Sequence, residues 1–499
     1  MMKDSIRGFV RCVFGVSLTF LFGTLVFAQN LVYTPTASTP VGRTPQAMAS
    51  GDFNHDGLLD VATVNSTSDD VSILLGNGNG TFQSAVSFGV GKIPMAIATK
   101  DLNDDNILDL VVATSGADRV IILTGKGDGS FEQTGSHSSG KGTTFLDLYD
   151  VDGKDGIDIV TANSGRFGYY PPFSVAVILN TGAGDFHPPT FYETDGRNGM
   201  FPTGVYVHDL TGDGLADVAI TWSQPSWRTP NGLIAVLANQ GDGTFAVKDE
   251  IKAGLTLSAI AGADLNGDGR GDLVVTSIFS DSVIVLLQDE DGQFVNRGSN
   301  KVGFSPVALA IRDLDGDEEL DLVVTNRDSN SLSVLLGQGV ATFRKAGNFG
   351  VGAAPSSVVV EDFDLDQLPD LVTTDGNSDA VSVLLSGEGD VPLASMSPES
   401  IEFDADHVES NTLAQTVRLS NIGLGPLQVV NVEVAGQNPE AFSVTENHCA
   451  KATILTGKSC SMQVLFTSVS PGIHTAMIRV LDNGSGSPRI VLLKGTVKG

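Results

Sequence analysis

Several kinds of residue are scarce in this chain. Of 499 residues, 3 are cysteine, 2 tryptophan and 6 tyrosine, and 29 bases face 59 acids. A formal charge of −30 argues against nucleic acid or anionic lipid as a partner, because phosphate would be repelled. Beyond residue 27 no apolar run approaches the ~20 residues needed to cross a bilayer, so no membrane span is expected in the mature chain. The seven histidines have no metal-ligand spacing. There is no His-Glu-x-x-His, no Gly-x-Ser-x-Gly and no catalytic-cysteine setting, which leaves no recognised catalytic motif.

The first 28 residues read as a secretion signal. Lys3, Arg7 and Arg11 precede an apolar run from Cys12 to Phe27, and Val26-Phe27-Ala28 offers a cleavage site. Cys12 would leave with that segment. Cys449 and Cys460, eleven residues apart in an exported chain, are then expected to form one disulfide.

What the chain has in abundance is glycine (58 residues) and one phrase written seven times. An acid is followed by oxygen-bearing side chains two and four residues later and by an acid at position nine. The copies begin at Asp52, Asp101, Asp150, Asp209, Asp264, Asp313 and Asp362, at spacings of 49, 49, 59, 55, 49 and 49 residues. These windows hold 27 of the 59 acids, so the negative charge is concentrated rather than spread. Between copies the sequence reads as short strands. Around the first copy these are Pro45–Ser50, Val61–Val64, Val71–Leu75 after a short loop, and Phe82–Phe88 beyond the turn Asn77-Gly-Asn-Gly80. Four antiparallel strands per ~50 residues predict an all-β fold, a seven-bladed β-propeller over residues 29–392. The seventh copy lacks its fourth strand, and Asn30–Thr39 has no blade of its own. It is expected to supply that strand and close the ring.

The phrase also suits a hard cation, which wants six to eight oxygens around one point. The expected metal ligands are Asp52, Asn54, Asp56 and Asp60; Asp101, Asn103, Asp105 and Asp109; Asp209, Thr211, Asp213 and Asp217; Asp264, Asn266, Asp268 and Asp272; Asp313, Asp315, Asp317 and Asp321; and Asp362, Asp364, Asp366 and Asp370. Copy 3 departs from the pattern: Asp150, Asp152 and Asp158 flank Lys154, whose ammonium would compete with a cation. An EF-hand needs an acid at position 12, where this chain has Thr63, Val112, Thr161, Ile220, Val275, Val324 and Thr373. About six calcium ions are therefore expected, with copy 3 doubtful. Arg270-Gly-Asp272 spells an adhesion tripeptide, but Asp272 is the ninth residue of its loop and is expected to be tied down.

On Gly51-Asp-Phe-Asn-His-Asp-Gly-Leu-Leu-Asp60 and its six relatives, the chain resembles the FG-GAP (integrin-alpha-type, also called VCBS-like) repeat family. That resemblance implies a propeller with structural calcium between the first two strands of each blade, on the face opposite the usual ligand face. The family's functions are diverse.

The long spacings place extra residues in blades 3 and 4, on the face opposite the metal loops. Arg166, Phe167, Tyr169, Tyr170 and Phe173 fall in one insert, Trp222, Trp227 and Arg228 in the other, and Tyr192, Arg197 and Phe201 in the connection. Aromatics beside arginines suit stacking on sugars or anchoring a peptide. The bland reading is that long loops need aromatics as their own small core.

After residue 392 the repeat stops. Thr416–Leu419, Leu427–Val434, Ser461–Phe466, Ala476–Val480 and Ile490–Leu493 alternate as short strands, which predicts a β-sandwich over residues 393–499. Residues 416–427, Cys449, Gly457-Lys-Ser-Cys460 and Lys494-Gly-Thr496 resemble the ASPM/SPD-2/Hydin-type immunoglobulin-like domains of exported bacterial proteins. The expected function is recognition or adhesion toward an extracellular glycan or protein ligand. The alternatives are a secreted polysaccharide-active enzyme and a purely structural envelope protein.

Overall fold

The computed structural model describes residues 31–497, apart from 155, 166–173, 183, 194–199, 225–230, 388–391, 393, 399, 409–411, 422–425, 456, 468–469 and 484–486. The signal segment therefore lies outside the described residues. Among those residues the regular structure is strand throughout, save two 3-10 turns at Ile278–Ser280 and Pro439–Ala441.

Residues 32–387 form seven antiparallel sheets. The first comprises Pro45–Gly51, Asp60–Asn65, Asp70–Leu74 and Val86–Gly89 in sequence order. Its last strand is shorter than the sequence suggests, because Phe82 instead bridges Gly76 at the neck of the turn. Sheets two to six repeat this order over residues 94–138, 143–193, 201–252, 257–301 and 306–350. The seventh has Pro355–Glu361, Asp370–Asp375 and Ala380–Gly387, and its fourth strand comes from the start of the chain. Val32 pairs with Gly387 and Pro35 with Leu384, as the missing strand predicts. The first strand of each sheet lies beside that of the next, and Pro355–Glu361 lies beside Pro45–Gly51.

Nearly continuous apolar strands form because both faces of each sheet are covered. Along Asp60–Asn65, Val61 packs with Val372 and Val383 of the seventh sheet, while Ala62 and Val64 pack with Leu110 and Val112 of the second. The period-two alternation of a strand thus serves two different neighbours. Every first strand carries a bulge near its start, as between Pro45 and Ala47, Pro94 and Ala96, and Pro306 and Ala308. A bulge bends and twists the strand locally, and proline is tolerated there because it sits at the strand's first residue.

Residues 394–497 form two further sheets with one shared core. Four strands order as Ala394–Ser397, Gln415–Asn421, Ser459–Phe466 and Phe442–Thr445; five as Ser400–Ala405, Arg489–Val497, Gly472–Asp482, Leu427–Ala435 and Thr453–Ile454. All five strands expected here are present and longer than expected. Val417, Met462, Phe466, Ile478 and Val491 form the centre of that core. Cys449 and Cys460 are disulfide-bonded.

The last residue of the second strand shows one local conflict. Asn65, Asn163 and Asn326 fill this buried position and donate to serines on the third strand, as Asn326 Nδ2 does to Ser333 Oγ at 2.9 Å. The seventh sheet has Asp375 instead. It accepts from Ser382 at 2.5 Å, but its Oδ1 is buried without a hydrogen-bond partner among the described residues. Burial pushes its carboxyl up to about 7, against hydrogen bonds from Ser382 and Gly352 that lower it. Its ordinary unfolded value is about 3.9. The folded state therefore holds this proton more tightly, and stability falls as pH rises from about 4 to about 7. Asp375→Asn is expected to raise stability at pH 8 by about 1–3 kcal/mol, the cost of a buried unsatisfied group. The gain should shrink at pH 5, as read by denaturant melts of both proteins.

Candidate metal centre

The seven repeated loops join the first and second strands of the seven sheets, so they share one end of the ring of sheets. At position nine the aspartate is the first residue of the second strand and is buried in every copy. Each carboxylate accepts two backbone N–H groups. One comes from position two of its own loop at 2.7–3.1 Å, as with Phe53 to Asp60. The other comes from the far end of the third strand at 2.6–2.9 Å, as with Gly76 to Asp60. Gly76 is required there: a Cβ would stand 2.2 Å from the Leu59 carbonyl oxygen.

Position one organises the turn. Asp52 accepts from Asp56 at 3.2 Å and from Gly57 at 2.9 Å, and Asp101, Asp264 and Asp362 repeat the pattern. Position six is left-handed, with φ of 82° at Gly57 and 63° at Asn106. Glu318 and Gln367 adopt the same conformation despite their side chains, each donating its N–H to the position-one carboxylate. Position five faces outward. Asp56, Asp105, Asp213, Asp268, Asp317 and Asp366 accept the N–H of position seven.

The acids that converge are those at positions one, three and nine. One carboxylate oxygen from each of Asp313, Asp315 and Asp321 lies within 4.8 Å of the others, and Asp362, Asp364 and Asp370 form the same group. Position five is not part of these triads. Where position three is neutral, Asn54, Asn103 and Asn266 donate to position five instead. Copy 3 also gathers Asp150, Asp152 and Asp158. Lys154 reaches Asp152 only at 3.7 Å and is largely exposed, so the ion pair by which its ammonium would compete with a cation is weak.

These groups fit a hard cation. The donors are all oxygen, and Asp315 Oδ1 is buried with no hydrogen-bond partner among the described residues. Burial first, then neighbouring acids, holds Asp321 up at about 7 and Asp60, Asp158 and Asp370 at about 6, against their two backbone hydrogen bonds. A divalent ion would offset that crowding. The loops are compatible with calcium. Asp272 is fully buried and Arg270 pairs with Asp268 at 2.7 Å, so the adhesion tripeptide is not displayed.

The expected ligand cluster is not borne out at Trp222. That side chain is fully buried on the second strand of the fourth sheet, at the register position of Asn65 and Asp375, and packs with Val205, Leu233 and Phe201. It is a core residue because its strand position faces the neighbouring sheet. Tyr192 also packs inward, edge-on to Phe245, with its hydroxyl donating to the Gly243 carbonyl at 3.3 Å. Arg166, Phe167, Tyr169, Tyr170, Phe173, Arg197, Trp227 and Arg228 lie outside the described residues.

A second repeated device, unanticipated from the sequence, holds the other end of the sheets. Asp69, Asp118, Asp281, Asn330 and Asp379 close the loops between second and third strands in left-handed conformation. Each accepts the N–H of a left-handed residue entering a following sheet: Ile93, Gly142, Ser305, Ala354 and Thr44, at 2.8–3.1 Å. The signal was available as Gly-x-x-Pro at Gly42, Gly91, Gly303 and Gly352. On this end Leu255, Phe279 and Phe304 stand 41%, 53% and 55% exposed. They are neighbours in the fold: the Leu255 carbonyl accepts from Ser277, and Ser305 donates to Asp281.

An FG-GAP-like repeat model matches residues 52–112, 264–324 and 313–373, so the chain carries such repeats in three regions. Among curated proteins none matches this sequence significantly. Among solved structures, BBS1N in complex with ARL6DN, from a crystal soaked with mercury, is similar at a TM-score of 0.50 and 11% identity, over 71% of this chain and 96% of that one. A protein from Lactobacillus plantarum aligns over 64% of this chain and 88% of its own, with a TM-score of 0.48 and 14% identity. The neighbours are propeller-like, and the likeness concerns fold alone.

The geometry separates two roles within one loop. Asp321→Ala should destabilise the protein by about 2 kcal/mol or more even in chelator, because two buried N–H groups lose their acceptor. Asp317→Ala should cost under about 1 kcal/mol in chelator, as an exposed turn contact. Paired thermal melts with and without EGTA check both.

Proposed function

We propose that this chain is an exported, calcium-stabilised seven-bladed propeller joined to an immunoglobulin-like sandwich, and that it acts as a recognition or adhesion module for an extracellular glycan or protein. The observation that carries this reading is that Leu255, Phe279 and Phe304 stand exposed near one another at the end of the ring of sheets away from the carboxylate loops, on a framework of left-handed turns. Exposed apolar side chains grouped on a rigid scaffold are the usual mark of a contact surface.

Calcium has a structural part here. Positions one, three and nine would hold it, with position five or a bound water completing the shell. Export is supported by the leader-like first 28 residues and by the Cys449–Cys460 disulfide, which is at home in an oxidising compartment.

Three outcomes are expected. Excess calcium should raise the melting midpoint and EGTA reverse it, since each site held a hundredfold above its Kd adds about 2.7 kcal/mol. An unchanged midpoint would sink the calcium reading. The secreted chain should begin at Gln29 by mass spectrometry. On glycan and protein arrays, Phe279→Ser with Phe304→Ser should weaken any captured ligand more than tenfold while leaving the calcium-dependent midpoint in place. Absence of any captured ligand would leave a scaffold.

A further inference from the structure

The C-terminal sandwich carries a pocket whose charge runs against that of the whole chain. It measures about 470 Å³, within the range of small-ligand sites. Its lining includes Arg418, His448 and Lys458, the hydroxyl-bearing Thr453, Ser459 and Ser461, and, among the described residues, no carboxylate. In a protein with twice as many acids as bases, an arginine and a lysine beside a histidine, in a concavity lined by no carboxylate among the described residues, form a local reversal of the field. These bases are not committed elsewhere. Arg418 donates from Nη1 to Ser459 Oγ at 2.9 Å, which leaves further N–H groups of its guanidinium, and Lys458 makes no ion pair among the described residues.

The pocket is also held in shape. Arg418 and Ser461 are directly paired across neighbouring strands. The disulfide fixes Cys449, next to His448, against Cys460 between Ser459 and Ser461, and the His448 N–H donates to the Ser461 carbonyl at 3.0 Å. A preformed site loses less entropy when it binds.

We infer that this pocket binds a carboxylate of an acidic polypeptide segment, with an adjacent apolar side chain resting on Ala452, Ile454 and Leu455. A guanidinium fork can take a carboxylate by two parallel N–H donors, the ammonium of Lys458 adds a point charge, and the hydroxyls satisfy the remaining lone pairs. Leu455 is 62% exposed beside the basic groups and offers the apolar contact. A sulfated saccharide carries similar charge, but sugar rings bind by stacking on aromatic faces, and among the described residues no aromatic side chain lines the pocket. The inference stands apart from the propeller's own contact surface.

The test uses the full mature chain and a fluorescein-labelled hexaglutamate peptide with one central leucine, read by fluorescence anisotropy at low salt. Arg418→Ala with Lys458→Ala should weaken binding at least tenfold, and raising salt should weaken the parent's binding. Arg479→Ala with Lys494→Ala removes the same charge from ion pairs elsewhere on the sandwich and should leave binding unchanged. Lys458→Glu alone serves if the double variant fails to fold, and should also weaken binding at least tenfold. Dextran sulfate is the counter-probe. The proposal is overturned if the peptide does not bind, if the pocket variants bind it as the parent does, if the control pair loses binding equally, or if dextran sulfate binds the pocket and the peptide does not.

Discussion

Seven buried carboxylates hold the propeller-like part of this protein together. Each position-nine aspartate pins the start of its loop with one oxygen and the end of the third strand with the other. A single side chain thereby fixes the first, second and third strands of a sheet relative to one another. Taking a carboxylate out of water is costly, and these groups are tolerable because each meets two backbone donors at short distance. The crowding of further acids around them is the residual tension in the design, and a divalent cation is its natural relief.

The same loops couple neighbouring sheets. The position-two carbonyl accepts from the next sheet in several copies: Phe53 from Gly129 at 2.9 Å, Leu102 from Asn180 at 3.0 Å, and Phe363 from Gly80 at 3.0 Å across the closure. Whatever firms a loop therefore firms an interface. The opposite end uses a different chemistry for the same purpose, with Asp or Asn side chains capping left-handed residues in the following connection. Both ends are thus set by short polar side chains reading backbone N–H groups, while apolar strands fill the space between.

Much of this was legible because aspartate spacing is a local signal. The loop phrase, the strand order, the closing strand at Val32–Pro35 and the disulfide all follow from residues near in sequence or from a missing piece. Two matters were not legible. Trp222 reads as a loop aromatic because the repeat lengthens nearby, yet its strand continues to Gln224 and turns the ring into the core. The position-nine aspartates read as ligands alone, since their second N–H donor lies 16 or 22 residues away, near the end of a strand whose register only the folded sheet defines. Positions five and nine look equivalent in the phrase, and burial is what separates them.

The strand Ala380–Gly387 is clasped on both sides, by Asp370–Asp375 and by Val32–Pro35, and the chain runs from it toward the C-terminal sandwich. A load on the C-terminal end of this strand would be shared by hydrogen bonds to both neighbours rather than carried by one set alone. The N-terminal segment that completes the ring is also the element that would let the seventh sheet bear mechanical load.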